Sequence, residues 1–154
     1  MKTICVFIIL CCLFACRQTT KVRIEPKETD TISNIPIAEQ SCYAYIKGKD
    51  TAELTLITTG VALTGELAYK WFEKDKNMGT IEGEMRGDTL VATYTFDSEG
   101  QKSTRQVAFL RKGNQFLEGF GEVKEKDGKT QFKDLSKLDF SQPIIFEKVA
   151  CKVK

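Results

Sequence analysis

Hydrophobic residues follow two patterns in this chain. Near the start they form one unbroken run, ICVFIILCCLFA from Ile4 to Ala15. From Ser41 onward they alternate with polar residues instead. In VALTGELAYKW, Val61, Leu63, Gly65, Leu67, Tyr69 and Trp71 share one face, while Thr64, Glu66 and Lys70 point the other way. TIEGEMR sets Ile81, Gly83 and Met85 against Glu82, Glu84 and Arg86. DTLVATYTF sets Leu90, Ala92, Tyr94 and Phe96 against Thr89, Val91, Thr93 and Thr95. A period of two with one apolar side predicts antiparallel strands, one face buried and the other wet.

Turn-forming clusters at 48–50, 73–79, 86–88, 97–100, 112–114 and 126–129 delimit the strands. The expected strands are 41–47, 51–59, 61–72, 79–86, 88–96, 103–111, 115–124 and 143–151. Between the last two, FKDLSKL spaces Phe132, Leu135 and Leu138 by three, which predicts a short amphipathic helix before the last strand. The fold class is therefore all-β: an eight-stranded antiparallel up-and-down barrel, lipocalin-like, with a β-sandwich as the alternative. The barrel is favoured because the inward faces mix Gly65, Gly83 and Ala92 with Leu67, Met85 and Tyr94, which lets strands curl and fills a tapering interior. Closure also removes exposed strand edges.

One stretch alternates in two ways. In QFLEGFGEV, inward Phe116 and Phe120 carry Glu118 inside with them, whereas inward Leu117, Gly119, Gly121 and Val123 leave Glu118 and Glu122 in water. The second arrangement is expected, because it buries no carboxylate.

Composition narrows the chemistry. The 154-residue chain has no histidine and a formal net charge of +2, with basic and acidic residues interspersed. Without histidine the commonest general base and metal ligand are missing. No concentrated basic face marks a nucleic-acid partner, and no Gly-rich phosphate or dinucleotide motif occurs. No cofactor and no metal site are expected, and the 73–79 turn is read as a polar hairpin loop rather than a calcium loop. Glu82 and Glu84, about 7 Å apart along one strand, have the spacing of a carboxylate pair, but alternating charge on a wet face explains them better. Arg105 and Arg111 flank a strand as candidate anion contacts, with solvation the simpler reading. Tyr43, Tyr45, Trp71 and Phe72 are the candidate ligand or partner contacts, framing a barrel mouth.

The apolar run ends on Leu13-Phe14-Ala15-Cys16 behind a single early charge, Lys2. It is too short to span a bilayer, which takes ~20 apolar residues, and has the length of a signal-peptide core. Leu13, Ala15 and Cys16 resemble a bacterial lipobox, with Phe14 larger than is usual at its position. The resemblance implies cleavage after residue 15, lipidation of Cys16 and a home in the bacterial cell envelope, in the outer membrane. Residues 16–40 then form a lipidated N-terminus and flexible tether, polar and free of glycine and aromatics. Residues 41–154, roughly 114 in number, make one domain.

Six cysteines are present. Cys5, Cys11 and Cys12 leave with a signal peptide, and a lipidated Cys16 leaves Cys42 and Cys151. In an oxidising compartment these two are expected to form a disulfide joining the first and last strands, although two reduced thiols or a redox pair remain open. Such a bridge also supports barrel closure.

Taken with the tether, the run GTIEGEMRGDTLVATYTFDSEG resembles small uncharacterised envelope lipoproteins of Bacteroidetes type. That resemblance implies no activity. The C-x-x-C of copper-stress sensor lipoproteins and the loop motif of membrane-bound lysozyme inhibitors are both missing. The leading expectation is a non-enzymatic, membrane-anchored lipoprotein whose barrel binds another envelope component. The alternative is a lipocalin-like carrier of a small apolar ligand, and a carboxylate-based hydrolase is the remote third.

Overall fold

The computed structural model describes residues 37–152 apart from Asp75 and Glu99. The signal-peptide run, Cys16 and most of the tether lie outside the described residues.

Ten strands follow in chain order: β1 (Glu39–Lys47), β2 (Asp50–Thr59), β3 (Ala62–Lys70), β4 (Lys76–Arg86), β5 (Thr89–Ser98), β6 (Gln101–Lys112), β7 (Gln115–Gly119), β8 (Val123–Lys126), β9 (Lys129–Phe132) and β10 (Ile145–Val149). Strands β1 to β6 each pair with the next in antiparallel register. β10 pairs with both β7 and β1, which closes the ring. The protein is an eight-stranded antiparallel up-and-down barrel, and the continuous pairing around the ring excludes the sandwich.

Short turns fix the register. Lys47 faces Asp50 across a two-residue turn in which Gly48 takes φ 64°, a conformation costly for residues with a Cβ. The β3–β4 connection is the exception, longer than its neighbours and with the non-glycine Glu73 at φ 57°. The β1–β2, β3–β4 and β5–β6 turns gather at one end, here called the mouth. The β2–β3, β4–β5 and β6–β7 turns gather at the other, the base, where the chain also enters β1.

The alternation read from the sequence sets the interior. Leu54, Leu67, Ile81, Leu90, Phe109 and Phe146 are fully buried in one core cluster. Each such side chain contributes roughly 1.5–3 kcal/mol by leaving water. The small inward residues have a physical reason to be small: a Cβ on Gly65 would run into the Thr55 carbonyl of β2, and one on Gly83 into the Val91 carbonyl of β5. Cys42 and Cys151 form a disulfide, with Cα atoms 5.2 Å apart, joining β1 to the segment after β10.

The structure corrects several local expectations. Residues 115–124 are not one strand: pairing with β6 stops at Gly119, and the chain then leaves the barrel. It builds an extra hairpin, β8–β9, turned by Asp127 and Gly128, both at positive φ. The expected amphipathic helix is a single 3-10 turn, Leu135–Lys137, capped by the Asp134 side chain. Its segment covers the outside of the barrel, where Leu135, Leu138 and Phe140 flank Val91. For that reason Val91, expected to face water, is only 7% exposed. A Cβ on Gly119 would collide with the Phe140 ring, so this glycine lets the covering segment lie close. Val61, expected to face inward, sits in the β2–β3 turn, 89% exposed.

Candidate functional site

The two ends of the barrel are built from different residues. Toward the base the interior is aliphatic and phenylalanine-rich. Toward the mouth the inward positions are taken by Tyr45, Tyr69, Trp71, Asn77, Tyr94, Phe96, Arg105 and Glu118. Register brings them together: Asn77 of β4 lies opposite Tyr69 of β3, and Arg105 of β6 opposite Tyr94 of β5. β7 ends one residue after Glu118, and the mouth half of β6 is paired instead with β9, Arg105 lying opposite Thr130 in parallel register. A cavity of about 200 Å³ occupies this region, lined by Tyr69, Trp71, Asn77, Arg105, Glu118, Phe120 and Ile144.

Glu118 is 5% exposed. The Tyr69 hydroxyl donates to its Oε1 at 2.7 Å, while Oε2 is buried without a hydrogen-bond partner. Burial raises the carboxyl above its ordinary value, offset in part by the Tyr69 hydrogen bond and the Arg105 charge. Burial also pushes the Tyr94 phenol up to about 12 and raises Tyr69, for which the neighbouring Glu118 charge adds to the effect. Both phenols therefore stay protonated at neutral pH.

The Arg105 guanidinium lies 5.5 Å from the Tyr69 ring centre, 5.6 Å from Tyr94 and 5.5 Å from Phe96. Tyr94 and Phe96 stack at 4.6 Å. The aromatic faces thus hold the cation where a carboxylate ion pair would otherwise be expected. No ion pair joins Arg105 to Glu118. Four polar atoms here are buried without partners: Glu118 Oε2, Arg105 Nε, Asn77 Oδ1 and the Tyr94 hydroxyl. Each costs about 1–3 kcal/mol of desolvation, more where the group is charged. Grouping four of them in one corner of a small barrel is an expense that folding alone does not require.

The residues singled out from sequence divide. Tyr45 and Trp71 meet edge to face at 6.0 Å, beside the cavity. Phe72 follows on the exterior rim, with its amide donating to Asp50 and Lys49 Nζ 3.9 Å from its ring centre. Tyr43 does not join them: it packs edge-on against Phe116 inside the barrel, 4.9 Å between ring centres. Cys16 lies outside the described residues. Glu82 is exposed, Glu84 accepts from Arg86 at the surface, and Arg111 pairs loosely with Asp88.

Glu118 reverses its expected direction. Phe116 and Glu118 both face inward, while Phe140 of the covering segment lies over Gly119 from outside. Glu122 is solvated as expected, bonded to Lys133 at the surface. The solvated reading of Arg105 is likewise overturned. The signal was present, since Arg105, Val107 and Phe109 alternate on one face, but a charge at an inward position reads as a strand end until the register is known.

No family model matches the chain, and neither a curated protein nor a solved structure matches it.

Proposed function

We propose that this protein is a lipid-anchored, non-enzymatic binding module of the bacterial cell envelope, held in the outer membrane through Cys16. It receives its envelope partner at the barrel mouth. The observation that carries the reading is the grouping of four unpartnered polar atoms at one end of an otherwise apolar barrel. Binding sites are walled by apolar and aromatic side chains with a few convergent polar groups, which is the composition of this mouth. The apolar-carrier alternative draws no support from the interior, where Leu54, Leu67, Phe109 and Phe146 fill the space between the strands.

Two experiments test the two halves of the proposal. Metabolic labelling with a fatty acid should mark the wild type and not Cys16→Ser, which should leave the membrane fraction. An unlabelled wild type would end the anchor reading. A photo-crosslinking residue placed at Phe72 or Phe120 on the rim should yield adducts in intact cells. The same residue at Val61, in a turn at the base, should not. Equal yields from rim and base would end the mouth reading.

A further inference from the structure

We infer that the mouth cavity binds a single neutral saccharide ring, taken as a free monosaccharide or as the terminal residue of a glycan. The inference rests on the mouth being the binding end and adds the chemistry of what enters. The residues that line the cavity carry both acceptors and a donor. Glu118 Oε2 and Asn77 Oδ1 only accept, Arg105 Nε only donates, and the nearby Tyr94 hydroxyl does either. A ligand that satisfies this set presents both donors and acceptors.

Charge narrows the choice. A cationic ligand drawn to Glu118 meets the Arg105 guanidinium, already surrounded by three rings. An anionic ligand drawn to Arg105 meets the Glu118 carboxylate. Neutral hydroxyl groups escape both penalties, because each donates and accepts at once. They give Glu118 and Arg105 charge-assisted hydrogen bonds without bringing a charge out of water.

Shape agrees. A cavity of about 200 Å³ has room for one six-membered sugar ring. Trp71 and Phe120 line it alongside the polar groups, offering flat apolar surface to the C–H face of such a ring. Glu73, held at φ 57° in the turn that carries Trp71, marks a backbone shaped for position rather than for local comfort.

Trp71 is the sole tryptophan of the sequence, so its emission reports on the cavity wall without interference. The full-length protein, purified in a detergent without a sugar headgroup, is titrated with D-glucose and with N-acetylglucosamine to about 50 mM, a range that detects affinities near 1 mM. Glycine, spermidine and acetate are titrated in parallel. A saturable change in emission is expected with at least one sugar and with none of the other three. Glu118→Gln should weaken that sugar roughly tenfold by removing the charge from the acceptor, and Asn77→Ala should weaken it by a smaller factor. Thermal melts check that both variants are folded. Saturation by glycine, spermidine or acetate in place of sugar overturns the ligand class and leaves the mouth reading standing. No saturation by any probe, or equal sugar binding by wild type and Glu118→Gln, overturns the inference. The rim crosslinking result then decides separately whether the mouth binds at all.

Discussion

The base and the mouth of this barrel are made from the same strands with the same alternation, yet they obey different rules. Toward the base the inward positions hold the buried Leu56, Leu63, Leu90, Phe109 and Phe116, and the Cys42–Cys151 bridge ties β1 to the segment after β10. At the mouth, inward positions hold a carboxyl, a guanidinium, an amide and phenols, four of whose polar atoms lack partners. Adjacent stretches of one strand, such as Arg105 and Phe109 on β6, therefore serve opposite ends: one costs stability, the other supplies it. A small barrel carries such a costly corner only if its other half is packed well enough to hold the fold.

The division can be broken most forcefully at the base. Phe109→Ala removes a fully buried ring that meets Phe146 edge-on at 5.6 Å, and should cost about 3–5 kcal/mol of unfolding free energy in a denaturant titration. A cost near zero would mean the base does not carry the fold.

Replacing both Cys42 and Cys151 by serine comes next. The bridge closes a loop with a sequence separation of 109, and its loss should lower stability by roughly 2–4 kcal/mol, read as a fall in the midpoint of chemical unfolding. A long loop gains most from such a tie, because its free ends have the most entropy to lose.

At the mouth the sign should invert. Tyr94→Phe deletes a buried hydroxyl with no hydrogen-bond partner and keeps the ring stacked on Phe96 beside Arg105. This variant should be as stable as the wild type or more stable by about 1 kcal/mol. A clear loss would show that the hydroxyl is satisfied in solution, and would erase the contrast between the ends.

The smallest effect is spread over pH. Folding raises the Glu118 carboxyl from its ordinary value of 4.5, so the native state holds this proton more tightly than the unfolded chain does. Stability from this group is complete below 4.5 and is lost as pH climbs through the raised value. Subtracting the stability of Glu118→Gln from that of the wild type should therefore give a difference that falls with rising pH across that window. Asp134 and Asp139 lie below their ordinary 3.8 through hydrogen bonds from Ser136 and Ser141; they act in the opposite sense and cancel in the subtraction. A flat difference would place Glu118 in water after all.

Much of the base was legible in the chain. Leu63, Leu67, Ile81, Leu90 and Ala92 fall on the faces that alternation assigns them, because a period of two needs no knowledge of neighbours. The mouth was less legible. Tyr45 and Trp71 were recognisable as candidates, but nothing in their spacing says that they meet, or that Tyr43 turns inside to Phe116. The β8–β9 hairpin escaped for a different reason: VKEK is exposed throughout and KTQF is at most half-buried, so neither carries a hydrophobic period.

The sequence by itself determined the all-β class and most of the turn positions, and it favoured the barrel over the sandwich and a Cys42–Cys151 bridge over free thiols. The first two follow from local alternation and turn chemistry, and the bridge from what the lipobox resemblance implies for the other cysteines. Only the tertiary structure decided the direction of Glu118 and the role of Arg105. QFLEGFGEV satisfies alternation both ways, and the choice falls to residues far off in the chain. Phe140 covers Gly119 from outside, and the Tyr69 hydroxyl meets Glu118 from within. A strand chooses its inner face by what waits on each side, and that is information no strand carries alone.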